Sequence, residues 1–217
     1  MNKWYYENKF YLTSDKTRIK KITDHYEIYK KISHLEGDII ECGVFKGVSL
    51  IRLLTFRDFD EQSKIKKIYG FDIFGSFPKP TKDKEHQKRD SMFAKLHDKN
   101  IGLGINFKKL NNSLKIKGFK NYHLVKGDVT KTIDEFIKRR KNLKISLLHL
   151  DLDIYTPTKH TLEALYKFIV KNGIILIDDY SHIKGATLAI DEFMTKHKKL
   201  KIQKISLKSR PSFIIKK

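Results

Sequence analysis

The sequence predicts an α/β protein: a mostly parallel, seven-stranded sheet with helices on both faces and a helical segment before the first strand. Strand-like and helix-like segments alternate along the 217 residues. The strand-like segments are continuous apolar runs, which is typical of strands that are buried on both faces. Acidic or glycine-rich groups follow several of these runs, at the strand ends where open α/β sheets bind ligands.

Length and composition favour one domain, residues 1–217, with a substantial core. No apolar run approaches the roughly 18 residues that a membrane span needs. Residues 1–6 lack the charged-then-apolar pattern of a secretory signal. Cys42 is the one cysteine, so an intrachain disulfide is excluded, and its apolar strand predicts a small core residue. Together these features predict a cytoplasmic protein.

The net charge of +21 would suit nucleic acid, a membrane surface or a phosphorylated substrate. However, lysines greatly outnumber arginines and are scattered along the whole chain, whereas sites that fork a phosphate favour arginine. We therefore interpret the charge mainly as a solvated surface and do not expect a nucleic-acid partner. A field that attracts an anionic substrate is the alternative interpretation.

The N-terminal third is predicted from its apolar spacing. Ile22, Tyr26, Tyr29 and Ile32 recur at three- and four-residue spacing, so residues 1–36 are predicted to be helical. The next elements are a strand at 38–42, a tight turn at 43–47, a helix at 49–57 and a strand at 67–72.

Residues 78–104 are the least regular part of the sequence. They carry Pro78 and Pro80 near the start, dense charge, and Gly102 and Gly104 near the end. Loops of this length in compact domains commonly serve as lids. We therefore predict an irregular lid over a site.

The second half continues the alternation. Thr132 and Glu135 have the spacing of a capping box, which predicts a helix that begins at Thr132 and runs to about residue 141. Pro157 is suited to the first turn of another helix, which Asn172-Gly173 is expected to close. The remaining predicted elements are a helix at 106–117, strands at 122–126, 143–151 and 173–178, a helix around 186–193, and strands at 200–206 and 212–216.

The turn between Gly43 and Gly47 has glycines where a backbone turns sharply and approaches a ligand. It matches neither the Walker loop nor the dinucleotide spacing, so alone it is a weak signal. Asp72 ends the second strand, 25 residues after Gly47. An acid at about this distance commonly binds ribose hydroxyls, which points to an adenosine-containing cofactor.

Three aspartates follow two neighbouring buried strands: Asp151, Asp178 and Asp179. Their carboxylate oxygens are the ligands that Mg²⁺ prefers, and without a cation they would repel one another. The alternative is a set of helix caps. Among the histidines, His149 is predicted to be a core residue, whereas His182 follows the aspartates closely enough to act as a substrate-binding residue or base.

Five motifs occur in an order that resembles the macrocin (TylF-type) O-methyltransferases, from about Gly37 to Phe193. These motifs are Glu-Cys-Gly-Val-Phe-Lys-Gly at 41–47, Gly-Phe-Asp-Ile-Phe at 70–74, Lys-Gly at 126–127, Leu-Asp-Leu-Asp-Ile-Tyr at 150–155 and Ile-Asp-Asp-Tyr at 177–180. The resemblance implies a Rossmann-like class I methyltransferase fold. It also implies an enzyme that uses S-adenosylmethionine and Mg²⁺ to methylate a sugar hydroxyl. One departure is Gly75, which stands where the family usually has glutamate.

The resemblance also implies roles for individual residues. Mg²⁺ would be held by Asp151, Asp178 and Asp179, and Asp151 would thereby also take part in catalysis. Binding to Mg²⁺ would lower the pKa of the acceptor hydroxyl, and on chemical grounds we take Asp153 and His182 as the two candidates for the base that removes its proton. The acceptor would be a glycosylated metabolite or a nucleotide-linked or lipid-linked deoxysugar, covered by the lid at 78–104. The cofactor would contact Glu41, Gly43, Phe45 and Ser49 around its methionine part, Asp72 at the ribose, and Gly127 and Asp128 near the adenine.

Two other classes of function stay open at this point. Asp151 and Asp153 also resemble the carboxylate pair of metal-dependent phosphatases and glycosyltransferases, although the glycine turn and Asp72 would then be unexplained. The basic charge suggests an RNA methyltransferase or RNA binder, although no aromatic-basic stacking motif is evident. A homo-oligomer is compatible with the sequence.

Overall fold

The computed structural model describes residues 2–61, 64–77 and 84–217. The helices of this part are α1 (Lys3–Thr13), α2 (Lys16–Ile32), α3 (Val48–Phe59), α4 (Lys84–Asn100), α5 (Phe107–Ile116), α6 (Val129–Lys138), α7 (Tyr155–Leu165) and α8 (Lys184–Lys196). The strands are β1 (Asp38–Cys42), β2 (Ile68–Asp72), β3 (Tyr122–Lys126), β4 (Ile145–Leu150), β5 (Ile169–Ile177), β6 (Ile202–Gln203) and β7 (Ser212–Ile215).

The seven strands form one sheet in the order β3-β2-β1-β4-β5-β7-β6. Strands β1 to β5 pair in parallel, and β7 runs antiparallel to both β5 and β6. The central strands β2, β1, β4 and β5 are covered on both faces, so side chains on both sides of each strand are buried. This explains why their sequences are continuous apolar runs. The predicted mostly parallel α/β fold is confirmed.

The core lies in two layers, one on each face of the sheet. Helices α6, α7 and α8 cover one face, with Ile133, Leu162 and Ile190 fully buried there. Helices α2, α3 and α5 cover the other, with Leu50 and Leu114 fully buried. Successive strand residues contribute to opposite layers, as the two-residue period of a strand demands.

The N-terminal segment consists of two helices. Asp15 caps α2, where its side chain accepts a hydrogen bond from the Thr17 backbone N–H at 2.8 Å. The buried stripe of α2 contains His25, Ile28, Tyr29 and Ile32. Tyr26, which was assigned to this stripe on sequence, is 45% exposed, whereas the predicted Tyr29 and Ile32 do belong to the stripe. Within the described part of the chain, no helix is long and apolar enough to cross a membrane.

The irregular segment predicted at 78–104 is wrong for residues 84–100, which form helix α4. Pro78 and Pro80 lie outside the described residues. Two contacts hold α4 against α7: the Asp90 carboxylate accepts a hydrogen bond from the Tyr155 backbone N–H at 2.9 Å, and the His86 ring packs on the Tyr155 ring. Such contacts between distant segments stabilise a helix whose own periodicity is weak.

The predicted start of α6 is also wrong. Asp128, rather than Thr132, is the N-cap, and its carboxylate accepts a hydrogen bond from the Thr130 backbone N–H at 2.9 Å. The Thr132 hydroxyl instead donates to the Asp128 carbonyl at 3.1 Å. An aspartate cap satisfies the free N–H groups as well as a threonine cap does, so the earlier residue begins the helix.

Asn172 and Gly173 do not close α7, which ends at Leu165, but lie inside β5. The pairing of β4 with β5 is irregular there, since Ile145 pairs with Ile169 whereas Leu147 pairs with Ile174. Asn172 has φ of 64°. Residues that tolerate positive φ serve bulges as well as helix ends, so the local sequence did not distinguish the two.

Candidate active site

The carboxyl ends of β1 to β5 surround a cavity of about 660 Å³. This size is within the usual range for small-molecule sites. The predicted site residues that line it are Gly43, Phe45, Ser49, Asp72, Gly127, Asp128, Asp151, Asp153, Asp178 and Asp179. The topology of the parallel sheet therefore brings residues from all five motifs to one edge.

The turn after β1 requires glycine at its first position. Gly43 has φ of 95°, and a Cβ atom there would lie 1.7 Å from the Asp151 carbonyl oxygen. Gly47 has φ of 81° and precedes the first turn of α3. The ends of β1 and β4 can therefore approach each other closely only because Gly43 has no side chain.

Asp72 organises this turn. One oxygen of its carboxylate accepts hydrogen bonds from the backbone N–H groups of Val44 at 2.8 Å and Phe45 at 2.9 Å. The other accepts one from Phe74 at 2.5 Å. Its contact with a ribose stays a prediction, but the structure shows that Asp72 fixes the backbone of the cavity wall.

Asp151, Asp153 and Asp179 form a carboxylate cluster in which one oxygen of each lies within 4.8 Å of the others. Burial, reinforced by the neighbouring carboxylates, raises the pKa of Asp151 and of Asp153 well above the usual range. Asp153 has φ of 61°, a strained conformation for a residue with a side chain. A divalent cation at this cluster would remove the repulsion, so the donor set fits Mg²⁺.

Asp178 contacts a different set of groups. Lys21 donates to one of its oxygens, and the other lies 3.8 Å from His25 and 3.9 Å from His149. Burial opposes its charged form, but His149, His25 and Lys21 together hold the pKa of Asp178 well below its usual range. The structure thus groups Asp151 and Asp179 with Asp153, and Asp178 with the two histidines.

Comparison with known proteins identifies the family. The model of the macrocin-O-methyltransferase (TylF) family matches residues 11–208. The chain belongs to this family. It is 26% identical over 168 residues to demethyldecarbamoylnovobiocin O-methyltransferase from Streptomyces niveus, a match over 76% of this chain and 60% of that protein. The chain therefore spans less than two thirds of the length of this curated relative.

Solved structures show the same fold. CalS11, a calicheamicin methyltransferase also described as a TDP-rhamnose 3'-O-methyltransferase, superposes with a TM-score of 0.71 at 19% identity, over 96% of this chain and 83% of that chain. The O-methyltransferase NovP superposes with a TM-score of 0.70 at 19% identity, over 92% and 79% of the two chains. These likenesses confirm the Rossmann-like methyltransferase fold of this TylF-family chain.

Two predicted site residues of the TylF-family chain lie outside the described lining of the cavity. Glu41 is fully buried beneath it, where its carboxylate accepts a hydrogen bond from Ser49 and lies 3.2 Å from His149. His182 is exposed, and its Nδ1 atom lies 2.9 Å from the Tyr180 carbonyl oxygen. Of the two predicted candidates for the base, Asp153 lines the cavity and His182 does not, within the described residues.

Sequence reasoning missed His25, Lys21 and Arg210. His25 lies on the buried stripe of α2, which was the one local signal for it. Arg210 lies in the loop before β7, and its guanidinium donates a hydrogen bond to the Asp179 carboxylate at 3.0 Å. Lys21 and Arg210 come from opposite ends of the chain and pair with the adjacent carboxylates of Asp178 and Asp179, and no motif spacing indicates such pairs.

Proposed function

We propose that this TylF-family chain is an S-adenosylmethionine-dependent O-methyltransferase with Mg²⁺ as its second cofactor, acting on a sugar hydroxyl. One observation carries the proposal: the Asp151, Asp153 and Asp179 carboxylates share a single cavity with the Gly43 turn and Asp72. A cavity of about 660 Å³ has room for a nucleoside cofactor beside an acceptor. The family match argues against the phosphoryl-transfer and glycosyl-transfer alternatives.

In this proposal each cofactor supplies one piece of chemistry. S-adenosylmethionine supplies the methyl group from its sulfonium, and Mg²⁺, held by Asp151 and Asp179 with Asp178 beside them, would lower the pKa of the acceptor hydroxyl. Asp153 belongs to the same carboxylate cluster and lines the cavity, so its carboxylate can accept the proton of the acceptor hydroxyl. Asp153 therefore takes the hydroxyl proton, and Asp151 and Asp179 fix the direction of the hydroxyl.

The walls of the cavity supply positioning. Phe93, Leu96 and His97 of α4 line the cavity, and the His97 ring packs against the ring of Phe45 in the glycine turn. An apolar wall excludes water from the reacting atoms and confines the acceptor, and holding two reactants in register is a major part of such catalysis. In this proposal α4 therefore has the covering role that was predicted for 78–104, with a helix in place of a loop.

The acceptor class is proposed from relatives. The curated relative is named for a demethyldecarbamoylnovobiocin acceptor, and CalS11 is described as acting on TDP-rhamnose. We propose the same general class here, a glycoside or a nucleotide-linked sugar. The five basic side chains that line the cavity are compatible with either: Arg18, Lys21, Lys46, Arg52 and Arg210.

Calorimetry with S-adenosylhomocysteine tests the proposal, with Mg²⁺ and with EDTA. We expect binding by the native chain and loss of binding in Asp72→Ala, because the variant frees the amides that shape the turn. Asp134→Ala, on the exposed side of α6, is the matched control. Absence of binding by the folded native chain would contradict a methyltransferase function. A methyl-transfer assay with TDP-rhamnose or simple glycosides as acceptors tests the proposed sugar acceptor and the role of Mg²⁺. We expect methyl transfer that is lost in EDTA and restored by Mg²⁺.

A further inference from the structure

Two of the five basic side chains in the cavity have no assigned partner. Lys21 and Arg210 pair with Asp178 and Asp179, and Lys46 donates to the Leu103 carbonyl oxygen. Within residues 2–61, 64–77 and 84–217, neither Arg18 nor Arg52 has a hydrogen bond or an ion pair through its guanidinium.

Arg18 and Arg52 lie beside each other on two helices that pack together, α2 and α3. Burial lowers the pKa of Arg52 and the positive charge of Arg18 lowers it further, whereas the more weakly acting carboxylates of Asp178 and Glu41 raise it. Arg18 is exposed and Arg52 is half-buried, and an anion that binds between two neighbouring guanidinium groups offsets their mutual repulsion. Arginine presents a planar fork of donors that matches an oxyanion such as a carboxylate or a phosphate.

The position of Arg52 indicates which oxyanion this is. Arg52 follows Ser49 by three residues, so both lie on the same face of α3, the helix that begins at the glycine turn. Asp72 and Gly127 lie at the ends of β2 and β3, on the other side of that turn. If the nucleoside lies over β2 and β3, the opposite end of the cofactor lies over β1 and β4, beside Arg52.

We propose that Arg18 and Arg52 bind the α-carboxylate of the methionine part of S-adenosylmethionine. The inference rests on the proposed function, since it assigns residues to the cofactor of that reaction. The carboxylate is the one permanent anion of this cofactor, and it lies at the end opposite the adenine. The two arginines would fix that end while Asp72 and the glycine turn fix the middle. A phosphate on the acceptor has the same chemistry, and it is the competing source.

The test removes the carboxylate from the ligand and the guanidinium from the protein. The ligands are S-adenosylhomocysteine and the 3-aminopropyl thioether of adenosine, which keeps the amine and lacks the carboxylate. The proteins are the native chain, Arg18→Gln, Arg52→Gln, and Arg139→Gln as a charge-matched control. Arg139 is exposed at the end of α6, outside the cavity lining. Calorimetry gives Kd for each pair.

We expect each cavity variant to bind S-adenosylhomocysteine about 10-fold or more weakly, the size of a lost charge-assisted hydrogen bond. Kd for the decarboxylated ligand should be the same in all four proteins. Equal weakening of both ligands would overturn the inference, because it would indicate a general distortion of the site. Unchanged affinity for both would overturn it as well.

Two further outcomes separate the alternatives. In the first, inorganic diphosphate binds the native chain, and Arg18→Gln and Arg52→Gln bind diphosphate more weakly but bind S-adenosylhomocysteine with unchanged affinity. The arginines would then bind a phosphate of the acceptor, and the inference would be wrong. If the folded native chain binds neither adenosine ligand, the proposed function itself fails, and the inference fails with it. Arg52→Lys, which keeps the charge but loses the fork, should fall between native and Arg52→Gln.

Discussion

Nδ1 of His149 lies 3.2 Å from Oε1 of Glu41, and both side chains are fully buried beneath the cavity. Glu41 also accepts a hydrogen bond from Ser49 at the start of α3. Burial opposes the charge of His149, but Asp178 and Glu41 outweigh it and raise the pKa of His149 to about 10. Glu41 therefore connects the sheet, α3 and the carboxylates of the site without lining the cavity.

Glu41→Ala should lower the free energy of unfolding by about 3–5 kcal/mol, because the buried, charged His149 would lose one of its two carboxylate partners. Urea denaturation measures this. Glu36→Ala is the control, since Glu36 pairs with Lys144 at 2.7 Å on the exposed surface and should change stability by less than about 1 kcal/mol. Equal effects of the two substitutions would contradict a structural role for the buried pair.

Gly43→Ala should destabilise the protein by more than about 3 kcal/mol and abolish cofactor binding, because a Cβ atom has no room beside the Asp151 carbonyl. Gly118→Ala is the control, because it measures the cost of a positive φ angle in a residue with a side chain, without a steric clash. Gly118 also has positive φ, but a Cβ there meets nothing within 4 Å, so we expect about 1–2 kcal/mol. Thermal and urea unfolding compare the two, and similar losses would contradict the steric explanation.

Mg²⁺ should stabilise the native chain against unfolding, by about 2.7 kcal/mol at 100 times its Kd. Asp151→Asn should abolish this increment, since it removes one member of the carboxylate cluster. Asp191→Asn is the control, because Asp191 is exposed, lies outside the described lining of the cavity and accepts a hydrogen bond from the Tyr180 hydroxyl. A melting temperature that is insensitive to Mg²⁺ in the native chain would count against the metal site.

Asp153→Asn should lower kcat by about 100- to 10,000-fold, the usual contribution of a general base. His182→Ala should lower it by less than about tenfold, because His182 lies outside the described lining of the cavity. Kinetics at saturating Mg²⁺ make the comparison, and titration of Mg²⁺ checks that Asp153→Asn still binds the ion. The reverse order of effects would restore His182 as the base.

Asp90→Ala should release α4 from the start of α7. The Tyr155 N–H is buried and would lose its acceptor, which costs about 1–3 kcal/mol. We expect faster tryptic cleavage within Lys84–Asn100 and a higher KM for the acceptor. Asp134→Ala, which removes an exposed contact with His160 at 3.0 Å, should leave both unchanged. Unchanged proteolysis in Asp90→Ala would mean that other contacts hold α4.

The sequence by itself determined the sheet and the location of the site. β1 and β3 have the bounds predicted from their apolar runs, and the motifs after β1, β2, β4 and β5 line one cavity. These features are local: an apolar run of strand length, a glycine turn and a terminal acid each act within a few residues. The parallel topology then places all the carboxyl ends at one edge.

Only the tertiary structure decided which groups meet there. Asp178 contacts Lys21 and His25, more than 150 residues earlier in the chain, and α4 is held by a contact between Asp90 and Tyr155. Arg18 and Arg52 become neighbours because α2 packs on α3. Sequence patterns report periodicity over one or two turns, whereas these pairs depend on how separate elements pack. Packing therefore set the partners of each charge.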